Sequence, residues 1–144
     1  MAARILVVND TQAILDMFRS ILEDEGYEVI LSSMPYQNIA EIEQVKPDLI
    51  ILDIMFGDQK IGWQMVQLLR MNRATASLPL IVCTAAIREV RETEGYLVSQ
   101  GVHVLYKPFQ LDDLLAMVTQ ALAATHHIVS QIEEDEGKDG KRKD

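Results

Sequence analysis

The chain has 144 residues, 49% of them apolar and 24% charged, a size and balance suited to one soluble domain with a single core. Its formal net charge of −9 repels phosphate backbones, so no nucleic-acid partner is expected and proteins are the expected partners. The apolar stretch near the N-terminus is too short for a signal-peptide core, no run reaches the roughly 18 residues of a membrane span, and the lone Cys83 excludes an internal disulfide. A cytoplasmic protein with no membrane partner is the expectation.

Ile5–Val8 opens the chain as an unalternating apolar run, the pattern of a strand buried on both faces. Ile14, Leu15, Phe18, Ile21 and Leu22 follow at the spacing of one helical face, and Gly26 supplies a stop. Tyr27–Leu31 reads as a second strand. Ile39, Ile42 and Val45 mark a short second helix closed by Lys46-Pro47. Leu49–Leu52 is a third buried strand. After Gly62, Met65, Val66 and Leu69 mark a third helix, with Trp63 read as core. Leu80–Val82, with Cys83, gives a fourth strand. Val90, Tyr96, Leu97 and Val98 suggest a fourth helix ending near Gly101, although its first turns are charged and weakly patterned. Val102–Tyr106 is a fifth strand. Leu111, Leu114, Leu115, Val118 and Leu122 form a fifth helix, with Asp112 and Asp113 in the first turn where the helix dipole favours anions. Strand and helix alternate five times, which predicts an α/β fold with a mostly parallel sheet and helices on both faces. Residues 1–132 are read as one domain and residues 133–144, charged and without large apolar side chains, as a disordered tail.

The polar residues at the strand ends carry the chemistry. Asn9 and Asp10 follow the first strand, Asp53 ends the third, Thr84 ends the fourth and Lys107 ends the fifth. In an open α/β sheet, ligands bind outside the carboxyl ends of the strands. Asp10 and Asp53 are oxygen ligands of the kind Mg²⁺ takes, usually one or two carboxylates with several waters retained. A carboxylate is also a nucleophile toward phosphorus, and an ammonium and a hydroxyl suit the oxygens of a phosphoryl group. By contrast, His126 and His127 are adjacent and lack a partner at metal-ligand spacing.

Val7-Val8-Asn9-Asp10, Ile51-Leu52-Asp53-Ile54-Met55, Val82-Cys83-Thr84-Ala85 and Tyr106-Lys107-Pro108-Phe109, in that order, resemble the response-regulator receiver family of two-component signalling over about residues 4–125. The resemblance implies a flavodoxin-like (βα)5 fold, a doubly wound parallel five-stranded sheet of order 2-1-3-4-5. It implies a switch, not an enzyme, that accepts a phosphoryl group on Asp53 from a histidine kinase or phosphotransfer protein. Asp10, Asp53 and the backbone carbonyl of Met55 would hold Mg²⁺, with Asn9 contributing through a water. Thr84 and Lys107 would sense the phosphate, Lys107-Pro108 would be cis, and a downstream protein would read the face of the fourth helix, fifth strand and fifth helix.

Three positions depart from the family pattern. Asn9 stands where a second carboxylate is usual, which removes one negative charge while leaving an amide oxygen as acceptor. The loop after Asp53 has Phe56-Gly57 in place of a proline, with an apparent one-residue insertion before Gly62. Val104 occupies the place of the switch aromatic, so either Tyr106 or Tyr96 serves instead or the usual aromatic switch is absent. Three rival readings remain. A degenerate receiver would bind proteins without phosphorylation. A phosphatase of the haloacid dehalogenase kind would need a second aspartate at Met55. A flavodoxin-like electron carrier would need a phosphate loop that Asp10-Thr11-Gln12-Ala13 does not resemble.

Overall fold

Five short strands alternate with helices in the computed structural model, which describes residues 2–36, 38–54, 61–85 and 90–123. The elements run β1 (Arg4–Val8), α1 (Gln12–Asp24), β2 (Glu28–Ser32), α2 (Ile39–Val45), β3 (Leu49–Leu52), α3 (Ile61–Met71), β4 (Leu80–Thr84), α4 (Glu94–Ser99) and β5 (Val102–Tyr106). A further helix, α5, covers residues 111–123. All strand pairs are parallel and the sheet order is β2-β1-β3-β4-β5, as the resemblance implied. The 133–144 tail, Met55, and His126-His127 lie outside the described residues.

The sheet separates two apolar layers. Leu6, Val8, Ile50, Leu52, Leu80 and Val82 face α2, α3 and α4, where Ile42, Met65, Leu69 and Leu97 are buried. The alternate residues Ile5, Val7, Leu49, Ile51, Ile81 and Cys83 face α1 and α5, where Phe18, Leu22, Leu114 and Val118 are buried. Strands β3 and β4 are buried along their whole length. That explains their unalternating apolar sequences: both faces are covered, and only Thr84, at the end of β4, is polar.

Local signals account for most boundaries. Helix α1 ends in a Schellman motif: Tyr27 N–H donates to Leu22 O at 3.1 Å and Gly26 N–H to Glu23 O at 2.9 Å. Gly26 takes φ 91°, a conformation open to glycine at no steric cost. Helix α2 starts at Asn38, whose side chain accepts from Ala40 N–H, and ends at Lys46 in a left-handed conformation before Pro47. The fourth helix differs from its predicted form. Val90 and Arg91 are helical, a turn follows, and α4 proper is six residues long. Only Val90 and Leu97 of its predicted apolar set are buried; Tyr96 and Val98 are 50% and 62% exposed. Its charged early turns reflect this break. Leu111, expected on the buried face of α5, is also exposed.

Candidate functional site

The register brings four strand ends to one edge. Val8 pairs with Leu52 and Leu52 with Val82, so the next residues in β1 and β3, Asn9 and Asp53, emerge side by side. Backbone bonds fix them there: Asp53 N–H donates to Val8 O at 3.2 Å and Asn9 N–H to Ser32 O at 3.1 Å. Thr84 pairs with Tyr106, and Lys107 N–H donates to Thr84 O at 2.9 Å, which places Lys107 just past the sheet. The Lys107-Pro108 peptide is cis.

The centre of the arrangement is an ion pair. Lys107 Nζ lies 3.0 Å from Asp53 Oδ2, and the two side chains are only 18% and 11% exposed. Water is largely excluded from this contact, so the attraction is stronger than between surface charges. Asn9, 3% exposed, directs Nδ2 toward the same Asp53 oxygen at 3.4 Å. Its Oδ1 accepts the Thr11 N–H at 2.9 Å. The amide therefore turns its donor end to Asp53, opposite to the oxygen through which a metal-bound water was expected. Thr84 is fully buried at the end of β4. Asp10 is exposed and accepts from the Thr11 hydroxyl at 3.3 Å. The N-cap of α1 is Thr11, one residue later, so Asp10 is not the capping residue.

Asp10 and Asp53 are the acidic donors that the strand ends present, and the described residues contain no group of three or more His, Cys, Asp or Glu able to hold a metal. Two carboxylates fit a hard cation such as Mg²⁺ that keeps part of its water shell, and do not fit a zinc or iron centre. Next to this edge, burial pushes the Cys83 thiol up to about 12, Lys107 opposing that shift and Asp53 adding to it. Cys83 is 2% exposed and packs in the α1/α5 layer, as expected of a small apolar core residue.

Gly62 is a contributor that the sequence pattern did not single out. Its N–H donates to Ile54 O at 3.0 Å. A Cβ at this position would collide with the Asp53 carbonyl oxygen and lie 2.9 Å from both the Asp53 carbonyl carbon and Ile54 Cα. The first turn of α3 thus rests directly on the Asp53 backbone. A glycine in the first helical turn after the acidic strand end was the available signal.

With strand order, strand-end carboxylates and the lysine in place, the fold and site define a receiver, and the chain belongs to the response regulator receiver domain family, whose model matches residues 5–119. It is similar to the DNA-binding dual master transcriptional regulator RpaA of Synechocystis, 34% identical over 125 residues, 87% of this chain and 51% of that protein. It is also similar to the DNA-binding response regulator MtrA of Mycobacterium tuberculosis, 30% identical over 122 residues, 85% of this chain and 51% of that protein. Among solved structures, a CheY-like response regulator receiver domain protein from Methanospirillum hungatei aligns with a TM-score of 0.75 at 28% identity, covering 88% of this chain and 98% of the other.

The chain spans about half the length of these curated relatives. They overturn the expectation that nucleic acid has no place among the partners, because the matched regulators are DNA-binding proteins. A net charge of −9 describes these 144 residues and no others. It bears on what this surface attracts, and says nothing about the half of each relative that lies outside the match. Among the described residues, no helix is long and apolar enough to cross a membrane.

Proposed function

We propose that this receiver is a phosphorylation switch in which Asp53 accepts a phosphoryl group from a histidine kinase or phosphotransfer protein. The observation that carries this reading is the largely buried Lys107–Asp53 contact of 3.0 Å at the carboxyl edge of the sheet. An Asp53 carboxylate oxygen attacks phosphorus as the bond to the donor's imidazole nitrogen breaks, and that bond's electrons leave with the imidazole. The product is an acyl phosphate on Asp53. Lys107 then exchanges its carboxylate partner for a phosphoryl oxygen, and the Thr84 hydroxyl is proposed to take another. Asp10, Asp53 and the Met55 carbonyl would hold Mg²⁺, which supplies charge neutralisation between the carboxylate and the incoming phosphoryl group. The chain assists its own phosphorylation and turns over no other substrate. A buried, unreactive Cys83 fits a cytoplasmic setting.

The names of the relatives favour a transcriptional output for the protein this receiver serves. Retention of the Asp10, Asp53, Thr84 and Lys107 set favours a switching receiver over a degenerate one. Incubation with acetyl phosphate, with and without Mg²⁺, followed by intact-mass measurement tests the reading. One phosphoryl group is expected, and none on Asp53→Asn. Unchanged labelling of that variant would refute the acceptor.

A further inference from the structure

We propose that Asn9 is a positioning residue whose amide NH2 competes with the divalent cation for Asp53, so that this switch binds its metal less tightly than the same site without that donor. The inference rests on the receiver reading above and concerns how the site is charged before any phosphoryl group arrives.

The orientation of the amide is the foundation. Asn9 Oδ1 accepts the Thr11 N–H at 2.9 Å, closing a turn between β1 and α1. A flipped amide would set its NH2 against that N–H, two donors face to face, so the backbone selects one orientation. In that orientation Nδ2 lies 3.4 Å from Asp53 Oδ2, the oxygen that Lys107 Nζ also approaches at 3.0 Å. Two donors therefore converge on one carboxylate oxygen inside a site where Asn9 is 3% and Asp53 9% exposed. An N–H pointed at Asp53 brings partial positive charge to the β1 side of the carboxylate, the side from which Asp10 would share a cation with it. Metal loading then costs the Asn9–Asp53 contact, and the position contributes no negative charge in return. An amide whose oxygen held a metal-bound water would do the opposite and support the ion.

The two roles predict opposite signs for one substitution. Asn9→Ser keeps an oxygen that can accept from Thr11 N–H, adds no charge, and is too short to reach Asp53. Calorimetric titration of the full chain with MgCl2 should show the Ser variant binding about threefold more tightly than the parent, the modest gain expected for a long, weak hydrogen bond to a carboxylate. Asn9→Ala should move the same way, and circular dichroism reports whether its start of α1 is intact. Asn9→Asp should bind more tightly still, since it exchanges the donor for a charge. Equal or weaker Mg²⁺ binding by the Ser variant overturns the proposal, as does a lack of Mg²⁺ binding in all of these proteins. Acetyl phosphate labelling alongside separates the two levels. A parent chain unlabelled at Asp53 brings down the phosphorylation-switch reading itself, whereas a labelled parent with the Mg²⁺ order reversed brings down only the role of Asn9.

Discussion

An alanine at position 62 would press a methyl group into the Asp53 carbonyl, because the first turn of α3 leaves no space there. Either α3 or the end of β3 must then move. Gly62→Ala is expected to cost about 1–3 kcal/mol by overpacking and to slow acetyl phosphate labelling, read by denaturant melts and mass spectrometry. Gly95, within α4, has nothing within 4 Å of its would-be Cβ, so Gly95→Ala should instead stabilise by about 0.5–1 kcal/mol. A second residue-scale expectation concerns His103 in β5. Burial holds its imidazole below the ordinary value of 6.5. Between the folded value and 6.5 the unfolded chain binds more protons than the folded one. The stability tied to neutral His103 is thus fully present above 6.5 and is lost as pH falls through that window. Urea melts at about pH 7.5 and about pH 5.5 should show a smaller acid loss for His103→Gln than for the parent.

At the scale of elements, α4 and β5 are joined by a polar latch. The Tyr106 hydroxyl donates to Glu94 Oε1 at 3.0 Å, and the Arg91 guanidinium lies 6.0 Å from the centre of the Tyr106 ring. Burial, and then the Glu94 bond, raise the phenol's pKa, so it remains a donor throughout the neutral range. Tyr106→Phe should destabilise by about 1 kcal/mol in urea melts, with Glu94→Gln, which keeps an acceptor, losing less. The fourth helix was the least legible part of the sequence. Two helical pieces broken by a turn give no continuous period, and Tyr96 lies outward, 6.2 Å from the half-buried Trp63 ring of α3. The strands were legible for the converse reason: β3 and β4 are covered on both faces and are apolar along their length up to Thr84 at the end of β4. The polar strand ends were equally visible. The Asn9 amide orientation and the Gly62 contact were not, since one depends on a local turn that points the amide at a carboxylate from another strand, and the other on how closely α3 packs back onto the end of β3.

At the scale of the molecule, the βα alternation was enough to predict parallel pairing, while the strand order came from the resemblance of the four motifs. The composition of residues 133–144, six acidic and four basic with no aliphatic or aromatic side chain, predicts that this segment adds nothing to the core. Deleting it should leave the melting temperature and Asp53 labelling within error of the parent. A drop of more than a few degrees, read calorimetrically, would show that the tail docks on the domain. Charge was the misleading whole-chain quantity. It describes a local surface faithfully, and it was extended to partners that the relatives' names assign to proteins about twice the length of this match.

Two residues beyond Lys107, Phe109 stacks on Phe18 of α1 with ring centres 6.1 Å apart and planes at 28°. This contact involves no charge, yet it fixes the segment that carries the ammonium. A tethered group meets its partner at an effective concentration set by the tether, far above anything a free amine reaches in solution. Loosening the aromatic anchor would dilute Lys107 around Asp53 without altering either group. The strength of the charged contact is therefore written partly in an apolar stack on the far side of the lysine.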